Sequence, residues 1–258
     1  MNSIFKHAEN NGEVIITGLQ EGLATTSIVI PETIDGMPVI EIGPKAFQST
    51  SITNIKIGEN IKGIGEKAFY MCKKLKSVTW NHKCDVVPAF CFSECSNLTK
   101  FDFSNVKKIG LYAFYKSGLQ EVCLTENIEV VSEWAFYGCE KLSSVIWNCK
   151  CDVIPTCCFS RCSNLTQFDF LNVKKIGAYA FDESGLTFVT LNKGTAVEQY
   201  CFARCNDLEK IEWLSGRAIK DSIFEGCKHI KEIFISDSVK NIEASAFAFS
   251  PNAEITFV

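Results

Sequence analysis

A phenylalanine recurs along this chain at positions 47, 69, 92, 114, 136, 159, 181, 202, 224 and 247, at intervals of 21 to 23 residues. Five residues before each stands Ile or Val: Ile42, Ile64, Val87, Ile109, Val131, Ile154, Ile176, Val197, Ile219 and Ile242. The residue just before the Phe is Ala or Cys in nine cases of ten, Ile223 being the exception. Five or six residues after most of them an L-x-x-L-x-L pattern opens, as in Leu75-Val78-Trp80, Leu142-Val145-Trp147 and Leu208-Ile211-Trp213. So short a unit cannot bury its own apolar face, so the copies must stack into one continuous core. The end of L-x-x-L-x-L alternates in and out, which is strand periodicity, and predicts a parallel sheet. The I-G-x-x-A-F segment spaces its apolar residues about one turn apart and predicts a short helical turn. The expected fold is an α/β repeat solenoid: residues 1–38 as N-terminal capping strands, then ten repeats over 39–258. Its parallel sheet lines the concave face, with short helical turns on the other.

A longer period lies over the short one. Residues 64–124 match 131–191 at an offset of 67, so that CDVVPAFCFSECSNLTKFDFSNVKKIGLYAF answers CDVIPTCCFSRCSNLTQFDFLNVKKIGAYAF. A block of three repeats has been duplicated.

The recurring I-G-x-x-A-F-x-x-C-x-x-L-x-x-V-x-L pattern, clearest in IGEKAFYMCKKLKSVTW at 64–80, resembles the leucine-rich repeats of bacterial surface antigen A type (BspA-like) over about 40–258. The stretch 11–47 resembles the lead-in of that family, two short strands and an I-P turn before d-G-x-P-V. The resemblance implies a non-enzymatic surface module for adhesion or host-protein binding, and identifies no ligand. An intracellular interaction scaffold is the alternative, and a thiol-dependent enzyme the reading with least support.

The 14 cysteines look like chemistry until they are placed in register. Cys72, Cys95, Cys139, Cys162, Cys205 and Cys227 fall three residues after the repeat Phe, and Cys91, Cys158 and Cys201 just before it. Cys84 and Cys151 lie eight before it, beside Val and Ile of other repeats. These columns point inward, where free Cys acts as a small hydrophobe. Column neighbours keep their Cβ atoms near 5 Å apart, whereas a disulfide wants ~3.8 Å, so free thiols are expected. A metal site joining Cys149 and Cys151 to the related His82 and Cys84 would span three coils, about 14 Å by strand spacing. A local zinc site within Cys149–Cys162 stays as a minor alternative, and no cofactor or metal is expected. Cys123, Cys149 and Cys157 are expected to meet solvent.

Net charge of -4 argues against nucleic acid or an anionic membrane surface. No apolar run approaches the ~20 residues of a membrane helix, so no membrane insertion is expected. MNSIFKHAENNGEV shows no signal-peptide pattern. The compartment stays open: cell surface by resemblance, cytoplasm by the free thiols. His7, His82 and His229 read as solvated surface residues, far from any nucleophile–acid set. No phosphate loop or H-E-x-x-H motif is present.

Function is therefore sought on outward columns. On the strand face the C-terminal half carries Ile146, Leu171, Phe188, Leu214 and Phe234, a candidate contact surface for a protein ligand. On the turn side stand Phe90, Tyr112, Trp134, Tyr179 and Tyr200 two residues before the repeat Phe, with Tyr115 and Tyr137 one after it. That ridge reads first as a stiffening aromatic ladder and second as an interface. The chain ends at AEITFV with no polar helix after it. The tenth coil then caps itself, the array continues, or this edge pairs with another copy.

Overall fold

The computed structural model describes residues 3–22, 26–81 and 83–258. Each repeat forms one coil with three sides. The conserved-spacing Ile or Val ends a two-residue side strand: Gly63–Ile64, Val86–Val87, Lys108–Ile109, Val130–Val131, Val153–Ile154, Lys175–Ile176 and Ala196–Val197. An Ile219–Ile242 bridge continues the series. The tail of L-x-x-L-x-L forms the front strands Asn54–Lys56, Ser77–Thr79, Glu121–Leu124, Ser144–Trp147, Phe188–Leu191, Lys210–Trp213, Glu232–Ile235 and Glu254–Phe257. Where neighbouring front strands pair they are parallel and in register, Val122 beside Val145 and Ile211 beside Ile233. At the N-terminal end an antiparallel hairpin, Phe5–Asn10 with Glu13–Leu19, joins the side ladder through Met37–Ile42.

The repeat Phe explains why the coils stack at one pitch. All ten form an unbroken column, each ring stacked on the next at centroid distances of 5.2 to 5.7 Å. Phe5 closes the N-terminal end edge-on, 6.4 Å from Phe47. Phe rings bury large apolar areas and prefer offset stacking to a face-to-face sandwich, so this column fixes both the spacing and the lateral register of the coils.

The third side corrects one expectation. No helix forms among the described residues; the Ala-Phe segment is a run of tight turns. Alternate N–H groups leave the coil: Lys67 donates to Ala89 O, Phe69 to Cys91 O and Met71 to Ser93 O, at 3.1, 3.1 and 2.9 Å. The intervening Ala68, Tyr70 and Cys72 N–H groups bond three residues back, to Gly65, Lys67 and Phe69. A helix needs every donor aimed along one axis, whereas here every second donor is turned to the next coil. The turning is done by positive φ two residues before and two after the Phe, as at Lys67 (60°) and Met71 (59°), Tyr112 (55°) and Lys116 (51°). Left-handed backbone breaks a right-handed helix at once.

The cysteine column three residues after the Phe is part of the same stitching. Each thiol donates to the carbonyl of the preceding coil's Phe: Cys72 to Phe47, Cys95 to Phe69, Cys139 to Phe114, Cys162 to Phe136, Cys205 to Phe181 and Cys227 to Phe202, at 2.9 to 3.3 Å. All 14 thiols are free. Burial pushes Cys139 up to about 12, which keeps it a neutral donor.

Ser27–Val29 pairs with Asn54–Lys56 at the N-terminal end, and the front ladder is cut twice, into sheets of three, two and four strands. The cuts fall at Phe101-Asp102-Phe103 and Phe168-Asp169-Phe170. In both, two large rings point inward and pack edge-on or tilted against Trp80, Phe92 and Phe114, or Trp147, Phe159 and Phe181. Each intervening Asp then takes a backbone donor, Asp102 from Ser104 at 2.9 Å and Asp169 from Leu171 at 2.8 Å. Such side-chain bonds give the backbone an alternative to ladder pairing.

Candidate functional site

The second cut opens a groove of about 510 Å³ on the front face. One wall is the strand Ser144–Trp147, the floor is 167–171, and the other wall is Phe188, Thr190 and Asn192. Leu171 and Phe188 line it directly, and Ile146 stands on the first wall. These three are the exposed members of the predicted apolar set, at 67%, 42% and 52%.

Leu214 and Phe234, the other two, do not join them. Both are half-buried. Between Phe188 and Phe234 lies a polar bar: Lys210 is paired with Glu212 at 2.9 Å, and Thr190 donates to Glu212 at 3.1 Å. The Lys210 ammonium holds the Glu212 carboxyl below its usual range and lies 4.9 Å from the centre of the Phe234 ring. Phe234 is thus spoken for by a cation–π contact.

The duplication shows how the groove came to be apolar. Ile146, Leu171 and Phe188 correspond to Thr79, Ser104 and Glu121 at the offset of 67. All three positions are polar in the first block and apolar in the second, over matching interiors. A signal for this pairing exists in the sequence, but only once the two blocks are aligned position by position.

On the turn side the predicted ridge residues are all half-buried and meet ring to ring. Phe90 stacks on Tyr112 at 4.8 Å, Tyr112 on Trp134 at 5.4 Å, Tyr115 on Tyr137 at 5.2 Å and Tyr179 on Tyr200 at 4.9 Å. Lys67, Lys116 and Arg161 sit over Phe90, Tyr115 and Tyr137. Cys157 interrupts the row between Trp134 and Tyr179, and it is buried, contrary to the expectation that it meets solvent. The larger rings on either side overhang a side chain too short to reach past them. Cys123 is exposed and Cys149 half-buried. Beyond the interruption Tyr179 and Tyr200 resume the row, while the columns just after the repeat Phe turn ionic: Arg204 meets buried Asp182 at 2.6 Å and Glu183 at 3.4 Å, and Arg161 meets Glu183 at 3.2 Å.

His229 is exposed and bonds Asn206 O, while His7 is half-buried beside Phe5 O, less solvated than expected. His82 lies outside the described residues. Among the described residues no three His, Cys, Asp or Glu side chains converge as metal ligands.

Residues 20–139, 104–209 and 195–258 match the family model described as the BspA type leucine rich repeat region, in 6 copies. A comparison with curated proteins found no match. Among solved structures, a leucine-rich repeat protein from Bacteroides ovatus aligns over 98% of this chain and 80% of its own, with TM-score 0.75 at 22% identity. The leucine rich repeat protein of T. pallidum aligns over 68% of this chain and 84% of its own, with TM-score 0.61 at 25% identity. The pneumococcal vaccine antigen PcpA aligns over 99% and 80%, with TM-score 0.56 at 18% identity. These likenesses support the repeat solenoid.

Proposed function

Because this chain belongs to the BspA-type leucine-rich repeat family, we propose that it is a protein-binding module whose ligand docks on the front face, in the groove at the second ladder cut. Leucine-rich repeat families are generally non-enzymatic protein-interaction modules. The observation that carries the choice of face is the set of three substitutions between duplicated blocks, Thr79 to Ile146, Ser104 to Leu171 and Glu121 to Phe188. A core does not require exposed apolar residues, and clustered ones mark contact surfaces. Leu214 and Phe234 extend the surface beyond the Lys210–Glu212 bar as a secondary rim.

The role we propose for that contact is adhesion at the cell surface, to a host or neighbouring-cell protein. The test is retention of a surface protein by the immobilised chain. Ile146→Asp with Phe188→Asp is expected to abolish retention, whereas Thr79→Asp with Glu121→Ala leaves it intact. Equal loss in both pairs overturns the groove. A second reading, an interaction scaffold inside the cell, is favoured by 14 unpaired thiols. Labelling of intact cells with a membrane-impermeant reagent separates the two; a wholly internal chain ends the adhesion reading.

The aromatic ridge we propose to be a stiffening ladder, since its rings spend their faces on one another. The strand Glu254–Phe257 is exposed along its length, and we propose it as an edge for pairing with a second copy. A clean monomer at high concentration overturns that pairing.

A further inference from the structure

The second block differs from the first at one more place, which the front face does not use. Where the first has His82 and Cys84, the second has Cys149 and Cys151, in the loop between the strands Ser144–Trp147 and Val153–Ile154. We propose that Cys149 and Cys151 are a redox-active dithiol, which exchanges with the disulfide of a small thiol and closes to a Cys149–Cys151 bond.

The geometry sets this pair apart. The two residues are separated by Lys150, and the chain bends at Cys149 and Lys150. Two Cα steps of about 3.8 Å through a bend place the Cα atoms roughly 5–7 Å apart, overlapping the ~4.4–6.8 Å range of disulfides. Both side chains are half-buried against the core. The Cys149 sulfur lies 3.7 Å from Cys151 O, folded back over its neighbour. Cys151 lines an open cleft of about 620 Å³ together with Val130, Lys150 and Val153, wide enough to admit a small thiol. The remaining cysteines lack this combination. The six of the repeat column are fully buried, with their thiols given to Phe carbonyls. Cys123 is exposed but lies on the front strand Glu121–Leu124, with Glu121 and Ile146 as its outward neighbours.

The two thiols also divide the labour. The Cys151 thiol donates to Ile128 O at 3.8 Å; the interaction with Cys151 holds Cys149 below the usual thiol range, while the interaction with Cys149 and partial desolvation raise Cys151. Cys149 is then the attacking thiolate and Cys151 the resolving thiol. In the first step Cys149 S⁻ attacks one sulfur of RSSR; the S–S bond breaks, RS⁻ leaves and takes a proton to become RSH, and a Cys149–SR mixed disulfide forms. In the second, Cys151 loses its proton and attacks the Cys149 sulfur, expelling the second RS⁻, which is protonated in turn. The protein dithiol is oxidised by two electrons, and RSSR is reduced to two RSH.

A built-in reporter accompanies the pair. The indole Nε1 of Trp147 donates to Cys151 O at 2.8 Å, so ring closure, which re-aims that carbonyl, alters the environment of the Trp147 indole. Trp147 follows Ile146 on the groove wall, which ties the redox state of the loop to the front face.

The test treats the folded chain with oxidised glutathione, blocks remaining thiols and reads the tryptic peptides by mass. Trypsin cuts after Lys150, so in wild type the peptides 142–150 and 151–161 are expected to appear joined by a disulfide, two hydrogens lighter than their sum, with no glutathione on either. Cys151→Ser is expected to retain a glutathione adduct on Cys149, and Cys149→Ser to be modified at Cys151 more than about tenfold more slowly. Trp147 fluorescence should change on oxidation of wild type and recover with dithiothreitol. A trivalent arsenical, which bridges close dithiols, should bind wild type alone and protect it, a readout that needs no variant to fold. A stable adduct on wild-type Cys149 without cross-linking overturns the proposal. So does modification of Cys123 while Cys149 and Cys151 stay untouched.

Discussion

Residues 64–124 and 131–191 can be laid over one another atom group by atom group. Trp80 and Trp147 each donate their indole N–H to the carbonyl of a cysteine four residues on, at 2.7 and 2.8 Å. Asp85 pairs with Lys107, and Asp152 with Lys174. Both blocks turn two Phe inward and both break the front ladder there. Their surfaces diverge. The first presents Thr79, Ser104 and Glu121 over its cut and the stacked Phe90 and Tyr112 on its ridge. The second presents Ile146, Leu171 and Phe188, then Cys157, Asp182 and Glu183 on the ridge. Interiors of close-packed coils tolerate little change in volume, whereas the outward columns of a solenoid are free to vary. One scaffold has thus produced two different faces, and the cut in the ladder, present in both, is a structural niche that side chains then make polar or apolar.

The comparison is broken most severely from inside. Phe92→Ala and Phe159→Ala each remove one ring from the central stack, and each is expected to cost about 3–5 kcal/mol in urea unfolding. The two losses should agree within about 1 kcal/mol. A much smaller loss at Phe159 would mean that the second interior is looser, and that its surface differences follow from the core.

Transplantation sharpens it next. The triple change Thr79→Ile, Ser104→Leu, Glu121→Phe copies the apolar groove onto the first cut. With the ligand of the second groove in hand, titration calorimetry should show a second site per chain. Phe188→Asp in the same background should return the count to one, weakening the native site at least about tenfold, or ~1.4 kcal/mol. Unchanged stoichiometry would put the recognition elsewhere. A smaller effect is expected on the ridge: Cys157→Tyr, which bridges Trp134 and Tyr179 as Tyr112 bridges Phe90 and Trp134, should stabilise by about 0.5–1.5 kcal/mol.

Register was legible because one residue, the repeat Phe, has nearly invariant spacing, and everything else could be counted from it. That count alone moved eleven cysteines from chemistry into the core, and ten of them are buried with Cys151 half-buried. The turns were misread because Ile and Ala-Phe at four- and five-residue spacing look the same whether the backbone is helical or alternately left-handed. Left-handed positions usually announce themselves as Gly or Asn, but here they are Lys67, Phe90, Tyr112 and Trp134. The ladder cuts were hidden for a related reason: Phe-Asp-Phe satisfies the same in-out alternation as Val-Thr-Trp, and only the bulk of two adjacent rings and the reach of the Asp carboxylate distinguish them. The apolar five were legible as outward residues, yet their division into a groove and a rim depends on the Lys210–Glu212 pair, which is a contact between side chains and not a pattern.

The smallest difference to test is electrostatic. Asp182 corresponds to Tyr115 in the first block. Burial raises the Asp182 carboxyl above its ordinary value, although the hydrogen bond and charge of Arg204 pull it the other way. In the unfolded chain an aspartate titrates near ~3.9. Between that value and the higher folded one, the folded state binds the more protons, so stability falls as pH rises through the window. The contribution is fully present below the unfolded value and lost above the folded one, with a slope bounded by about 1.4 kcal/mol per pH unit. Asp182→Asn keeps the Arg204 contact as a neutral acceptor and removes the titration. Its unfolding free energy, followed from mildly acid to neutral pH, should lack the decline contributed by Asp182, while Tyr115→Phe in the first block leaves the wild-type slope in place. A wild-type slope retained in Asp182→Asn would assign the titration to another carboxylate and leave the ionic end of the ridge, like the aromatic end, without a pH response of its own.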